Sequence, residues 1–146
     1  GGAIKNIISI ASGICFSLNM GDNIVAALIT RGLNEMLSLE KKYDIDKNTL
    51  YGLSGIGDLM ATCYSRHSRN RKFGELIGSG ANVDSALDEI NATVEGLIAC
   101  KIVNDISLSE GINLPICREV YNILYNFSDP KESINNLMLR KLKDEK

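Results

Sequence analysis

Apolar residues recur along this chain at helical spacing, and runs that alternate apolar with polar, as a half-buried strand would, are scarce. A first apolar segment runs from about Ala3 to Leu18. Gly21, Asp22 and Asn23 then supply a turn and a helix start. The stripe Val25, Leu28, Ile29, Gly32, Leu33, Met36, Leu37 follows the i, i+3, i+4 repeat of a core-facing helix. That helix is expected to fade into a charged Glu40-Lys41-Lys42 linker. Asp46 opens a shorter segment over Thr49 to Leu53. The Gly-rich "GLSGIGDLMATC" from Gly52 to Cys63 marks tight turning or close backbone approach.

In the second half, Ser68 reads as the N-cap of a helix over Arg69 to Gly78, and Asp84 as the cap of the short "SALDEI". The next helix puts Val94, Leu97, Ile98, Lys101, Ile102, Asp105 and Ile106 on one face and stops at Gly111, a good left-handed C-terminal residue. Pro115 starts a helix with Val120, Ile123, Leu124 and Phe127 facing inward. Asp129-Pro130 caps the last one, which carries Ile134, Leu137, Met138 and Leu142. The closing "KLKDEK" is expected to fray. With no internal repeat, low-complexity tract or long linker, the pattern predicts one all-α domain of several helices over residues 1–146.

At 146 residues the chain is long enough for one real core. A net charge of -2 and a pI near 5.4 exclude a surface that is basic all over, so any basic function must be local. The rings nearest the basic cluster are Tyr64 and Phe73, and Phe73 falls on an apolar side, so no nucleic acid partner is expected. Cys15, Cys63, Cys100 and Cys117 form no C-x-x-C pair. No metal site or dithiol motif is signalled, and they read as reduced core thiols of a cytoplasmic protein. The apolar run Ile7 to Phe16 is too short to span a bilayer and has no cleavage pattern after it, so no membrane insertion is expected. The helical pattern is under way almost at Gly1, which reads as a piece of something longer.

Candidate chemistry is sparse. Lys5 is the only charged residue between Gly1 and Gly21. Such an ammonium either snorkels from near a terminus or is held in a pocket, where desolvation suits it to acid or base work. Asp58, the only acid between Lys47 and Arg66, reads as the N-cap of "LMAT" or as a carboxylate held near an active lysine. The stretch "TCYSRHSRNRKF" from Thr62 packs Arg66, Arg69, Arg71 and Lys72 together with the chain's only histidine, His67. A Ser68 cap followed by Arg69 and Asn70 puts free backbone N–H groups, a guanidinium and an amide around one point, which suits a phosphate. A cation in a first turn opposes the helix dipole, a local cost that a bound anion removes. Arg66, His67, Arg71 and Lys72 read as solvated neighbours. Glu95, at the start of a helix, reads as a capping acid.

Four segments in order, "GGAIKN" at Gly1, "GDNIVAALITRGLNEM" at Gly21, "GLSGIGDLMATCYS" at Gly52 and "SRNRKFG" at Ser68, with "VEG" at Val94 behind them, resemble the C-terminal domain of the NAD(P)-dependent glycerol-3-phosphate dehydrogenase family. The resemblance covers at least Gly1 to Gly96. It implies a helical substrate domain like those of glycerol-3-phosphate and 6-phosphogluconate dehydrogenases. It implies interconversion of dihydroxyacetone phosphate and sn-glycerol 3-phosphate by hydride transfer with NAD or NADP, supplying the phospholipid backbone. Position by position, Lys5 matches the catalytic proton donor and Asn6 looks like its substrate-facing neighbour. Asp58 and Thr62 match substrate-site residues, and Ser68, Arg69 and Asn70 match phosphate contacts. Arg69 and Glu95 resemble cofactor contacts. Serine at 68 with glutamate at 95 resembles the bacterial branch.

The dinucleotide-binding half, with its Gly-x-Gly-x-x-Gly turn, has no counterpart in the sequence, so the resemblance implies an inactive chain when alone. The implied partner is a small phosphate ester, and a homodimer through the helical domain is compatible with it. Two other readings stand beside this one. One is the helical half of another two-domain dehydrogenase acting on a hydroxy acid; the other is a non-enzymatic module that oligomerises or binds nucleic acid.

Overall fold

The first helix has no polar face to give to water: Ile4, Ile7, Ile8, Ile10, Ala11, Ile14 and Cys15 are 0% exposed, and so are Ser9 and Ser12. A helix buried on every side must be surrounded, and the rest of the chain does this. The computed structural model describes residues 2–42 and 53–140. In order, these form α1 (Gly2–Ser17), α2 (Asp22–Lys42), a π-helical turn (Leu53–Gly57), α3 (Asp58–Tyr64) and α4 (Arg69–Gly78). Then follow α5 (Val83–Ile90), α6 (Glu95–Glu110), α7 (Pro115–Tyr125) and α8 (Pro130–Leu139). No strand occurs among the described residues. Helices α2, α3, α4, α6 and α7 all pack on α1, and α8 closes the side formed by α2 and α7.

The tightest of these contacts is α1 on α4. A methyl group at Gly74 would strike the carbonyl oxygen of Ile10, and one at Gly13 the carbonyl of Arg71. At Gly78 it would strike the Ser17 hydroxyl. Hydrogen is the only side chain that lets the two backbones touch.

Helix α2 braces the far side with two charges one turn apart. Leu114 gives α7 no side-chain cap, and Pro115 sits at its first turn. Glu35 supplies the cap from α2 instead, accepting from the backbone N–H of Ile116 at 2.7 Å and of Cys117 at 3.2 Å. Arg31 reaches the other polarity. Its guanidinium donates to the carbonyls of Leu137, Met138 and Arg140 at the end of α8. Acid at a helix N-terminus and base at a C-terminus both follow the sense of the macrodipole. Glu35 is buried, and burial pushes its carboxyl up to about 7 even though the two N–H donors pull the other way.

Most expected boundaries hold. Ser68 caps α4 by accepting from Arg71 N–H at 3.2 Å, and Asp129 caps α8 by accepting from Glu132 N–H at 2.9 Å. Gly111 ends α6 at φ +66°. Four expectations are corrected. Helix α2 runs on through Glu40, Lys41 and Lys42, whose lysines suit a C-terminal turn; Lys42 also reaches Glu110 at 3.6 Å. The cap of α5 is Asn82, not Asp84, because its side chain accepts from Ser85 N–H at 2.8 Å. Helix α6 buries Gly96, Cys100, Val103 and Asn104, so Ile98, Lys101, Ile102 and Asp105 face outward. Phe127 lies past the end of α7 at φ +57° and is 83% exposed, not inward.

Asp46, the Thr49–Leu53 segment up to Gly52, and Leu142 with the closing residues lie outside the described residues. All four cysteines are free and buried. Burial pushes Cys15 and Cys100 up to about 12 and Cys63 to about 11, so they remain thiols at neutral pH. Among the described residues, no helix is long and apolar enough to cross a membrane.

Two outcomes follow from this packing. Gly74→Ala should cost about 3 kcal/mol in denaturant unfolding, because backbone rather than a flexible side chain must give way. Gly2→Ala, which meets nothing within 4 Å, should leave stability unchanged; equal effects would rule out the close contact. Glu35 binds its proton more tightly folded than unfolded, its value rising from 4.5 to about 7. The stability it contributes is full below about pH 4.5 and lost as pH rises through about 7. Unfolding free energy should therefore fall between about pH 5 and pH 8, by up to a few kcal/mol, and Glu35→Gln should flatten that slope. A flat wild-type profile would contradict the assignment.

Candidate active site

The N-terminal half of α1 presents Lys5, Asn6 and Ser9 toward α3, α4 and α6. Lys5 and Ser9, four residues apart, lie above one another on a single face. Lys5 Nζ donates to Asp58 Oδ2 at 2.7 Å, with side chains 23% and 53% exposed. Neither snorkelling nor capping describes the pair. Gly57 occupies the N-cap position of α3 in helical conformation, continuing the π turn, so the Asp58 carboxylate is released from capping and meets the lysine. Thr62 lies one turn further along α3, its hydroxyl donating back to the Asp58 carbonyl at 2.7 Å.

Asn6 turns the other way and donates to Glu95 Oε2 at 3.3 Å, on the first turn of α6. Asn70 is buried, and its Oδ1 accepts from the N–H of Gly96 at 2.8 Å. The same Gly96 has no room for a side chain against Ile10, Asn70 and the Asn6 carbonyl. The first turns of α4 and α6 are thereby fixed to each other and to α1. Between them opens a cleft of about 670 Å³ lined by Ala61, Thr62, Ser65, His67, Ser68, Arg69, Asn70, Thr93 and Glu95.

Five expected site residues, Thr62, Ser68, Arg69, Asn70 and Glu95, line that cleft, and Lys5, Asn6 and Asp58 adjoin it through the bonds just described. Of the four residues read as solvated neighbours, Arg66 and Lys72 are exposed as expected. Arg71 is a correction: its side chain is 13% exposed, pairs with Glu75 at 2.9 Å, donates to the Tyr64 carbonyl and lies over the Phe16 ring at 4.0 Å. It tethers α3 to α4 and is committed to that. His67, exposed, contributes to the cleft wall.

The residues missed outright are Ser9 and Ser12. Ser9 Oγ lies 3.2 Å from the Thr62 carbonyl and 3.1 Å from Ser68 Oγ, and the Ser12 hydroxyl is shared between the Ser9 carbonyl at 2.8 Å and the Cys63 carbonyl at 3.3 Å. Thr62 and Cys63 sit in the last turn of α3, where carbonyls lack helical partners, so the two serines cap α3 from the side. Two hydroxyls three positions apart within the apolar run from Ile7 to Cys15 were the available signal.

Electrostatically, the cleft takes the positive ends of α4 and α6. Arg69 is exposed and adds a guanidinium; Glu95 is the acid on the opposite rim. The arrangement can hold an anion on one side and exchange a proton at Lys5 on the other.

A family model described as NAD-dependent glycerol-3-phosphate dehydrogenase C-terminus matches residues 1–135. The chain belongs to that family. It is 48% identical over 145 residues to a glycerol-3-phosphate dehydrogenase [NAD(P)+] of Clostridium botulinum, covering 99% of this chain and 44% of the relative. The corresponding protein of Chlorobium phaeobacteroides is 47% identical over 144 residues, with 99% and 43% covered. Among solved structures, glycerol-3-phosphate dehydrogenase of Coxiella burnetii superposes with a TM-score of 0.93 at 40% identity, covering 95% of this chain and 43% of that one. The yeast Saccharomyces cerevisiae enzyme gives 0.87 at 27% identity, with 95% and 41% covered. The chain thus spans under half the length of these relatives, and its all-α fold is that of their C-terminal domain.

Proposed function

We propose that this chain is the substrate-holding, proton-handling half of an enzyme that interconverts dihydroxyacetone phosphate and sn-glycerol 3-phosphate with NAD or NADP, working with a dinucleotide-binding domain. The observation that carries the reading is the Lys5–Asp58 pair at 2.7 Å beside a cleft entered by two helix N-termini. The relatives' shared name supplies the substrate and cofactor.

When a ketone is reduced its oxygen gathers negative charge, so a positioned ammonium that gives it a proton lowers the barrier, by roughly 10²- to 10⁴-fold. Lys5 has three N–H donors and one is held by Asp58. The other two remain for the substrate oxygen, and Asp58 fixes their direction. In the reverse direction neutral Lys5 takes the hydroxyl proton back. Asp58 is half in solvent, which gives the pair a route for proton exchange with water.

The phosphate is the handle that holds the reacting carbon in place. By position, the N–H groups of Arg69 and Asn70 have no acceptor inside α4, and the Arg69 fork adds charge. Each charge-assisted bond contributes about 1.5 to 3 kcal/mol. Arg69 and Glu95, a donor fork and a carboxylate on opposite rims, fit the mixed polar groups of a nicotinamide cofactor. NAD(P), when bound, supplies or accepts the hydride.

A homodimer through the helical domain is supported by the outer face of α6. Ile98, Ile102 and Leu108 are exposed there, with Lys101 and Asp105 one turn apart. Across a two-fold axis with the helices antiparallel, each Lys101 meets the Asp105 of the other copy.

In the enzyme carrying this domain, Lys5→Met should lower turnover by at least about 10²-fold while cofactor binding persists. Arg69→Ala should raise KM for the phosphate ester by about 10-fold or more. Full turnover in the lysine variant would remove Lys5 from proton transfer, and equal activity on a substrate without phosphate would sink the substrate assignment. Sedimentation should show a dimer that Ile102→Asp converts to monomer; a wild-type monomer would refute the α6 interface.

A further inference from the structure

Ser9 is fully buried, one turn along α1 from Lys5, and meets two residues of the cleft lining, Thr62 and Ser68, through hydrogen bonds. Its Oγ lies between the Thr62 carbonyl at 3.2 Å and Ser68 Oγ at 3.1 Å, while Ser68 Oγ also accepts from Arg71 N–H at 3.2 Å. Three oxygens therefore share two hydroxyl hydrogens, and two arrangements place one of these hydrogens between Ser9 and Ser68. In the first, Ser68 donates to Ser9 and Ser9 donates to Thr62, so the Ser68 hydrogen points away from the cleft. In the second, Ser9 donates to Ser68. Both lone pairs of Ser68 are then filled, by Ser9 O–H and by Arg71 N–H, and its own hydrogen is turned into the cleft.

We propose that Ser9 is a positioning residue: its hydroxyl turns from the Thr62 carbonyl to Ser68 when an anion enters, and makes Ser68 a donor with no accepting capacity left. A dianionic phosphate offers acceptors and no donor, so a donor-only Ser68 matches it. An ammonium, which has donors only and would need Ser68 to accept, is turned away. The Thr62 carbonyl gives up its side-chain partner in this state, and an under-satisfied carbonyl is the cheapest backbone group to leave so. The Ser68 reading as a phosphate contact belongs to the proposed function, and this inference rests on it.

The test is a double-mutant cycle in the enzyme carrying this domain. Ser9→Ala should raise KM for the phosphate ester, and the inhibition constant of inorganic phosphate, by about fivefold, the effect of one ordinary hydrogen bond. Turnover at saturation should stay within about twofold, because Lys5 and Asp58 are untouched. Ser9→Thr, which keeps the hydroxyl, should restore the wild-type constants. In a Ser68→Ala background, Ser9→Ala should have no further effect on KM.

An unchanged KM in Ser9→Ala, equal effects with and without Ser68, or a threonine variant no better than alanine would each overturn the proposal. If Ser9→Ala yields no folded enzyme, Ser9→Cys, of similar shape with a weak donor, is held to the same outcomes. Loss of turnover in Lys5→Met and a raised KM in Arg69→Ala, without coupling between Ser9 and Ser68, would remove this inference alone. Unaffected Lys5 and Arg69 variants would remove the functional reading beneath it.

Discussion

The backbone contact between α1 and α4 sets the geometry on which the site depends. Gly13 and Gly74 let the helices meet with carbonyl oxygens where side chains would otherwise stand. At that separation a small change in axis angle has nowhere to go, because close-packed interiors shift in steps and do not deform smoothly. The first turn of α4 is therefore carried to a fixed place beside the N-terminal half of α1. Ser68, Arg69 and Asn70 reach the cleft because Gly74, one to two turns later, has no side chain.

The same molecule handles charge in two ways. Glu35 and Arg31 on α2 answer the ends of α7 and α8, and each is committed to backbone groups. These bonds hold the frame and leave nothing for a ligand. Lys5 is different, since one of its donors is fixed by Asp58 and the rest stay open at the edge of a cleft. Burial separates the roles: an acid as deep as Glu35 must find partners within the fold, whereas the half-exposed Asp58 can serve a neighbour and solvent together.

Much of the fold and of the site was legible in the sequence, for identifiable reasons. Caps such as Ser68 and Asp129 act on their own helix, so local sequence specifies them. Charge isolated among apolar residues marked Lys5 and Asp58. The outer face of α6 was misjudged because Ile98 and Ile102 carry the same periodicity as a core stripe. Helical period shows that a face exists but not which partner covers it, and here Gly96, Cys100 and Asn104 lie toward α1 and α7. Arg71 and Glu35 were not legible as structural residues because, Glu75 aside, their partners are 7 to 82 positions away. A basic run reads the same whether its members are solvated or tethered.

Hydrogen-bond accounting sharpens the difference between a basic patch and a site. Within "SRHSRNRK", Arg71 is fully engaged by Glu75, Tyr64 and Phe16, so its charge is not offered to a ligand. Asn70 lines the cleft but gives its oxygen to the Gly96 N–H. Ser68 accepts from Arg71 N–H and shares its remaining capacity with Ser9. Arg66 and Lys72 stay exposed but do not line the cleft, so what faces it is narrow: the Arg69 fork, the free N–H groups of a first turn and the Ser68 hydroxyl. A surface meant for a polyanion would leave many donors free along a track. The cleft instead gathers a few in one place, which fits the small phosphate ester proposed for it.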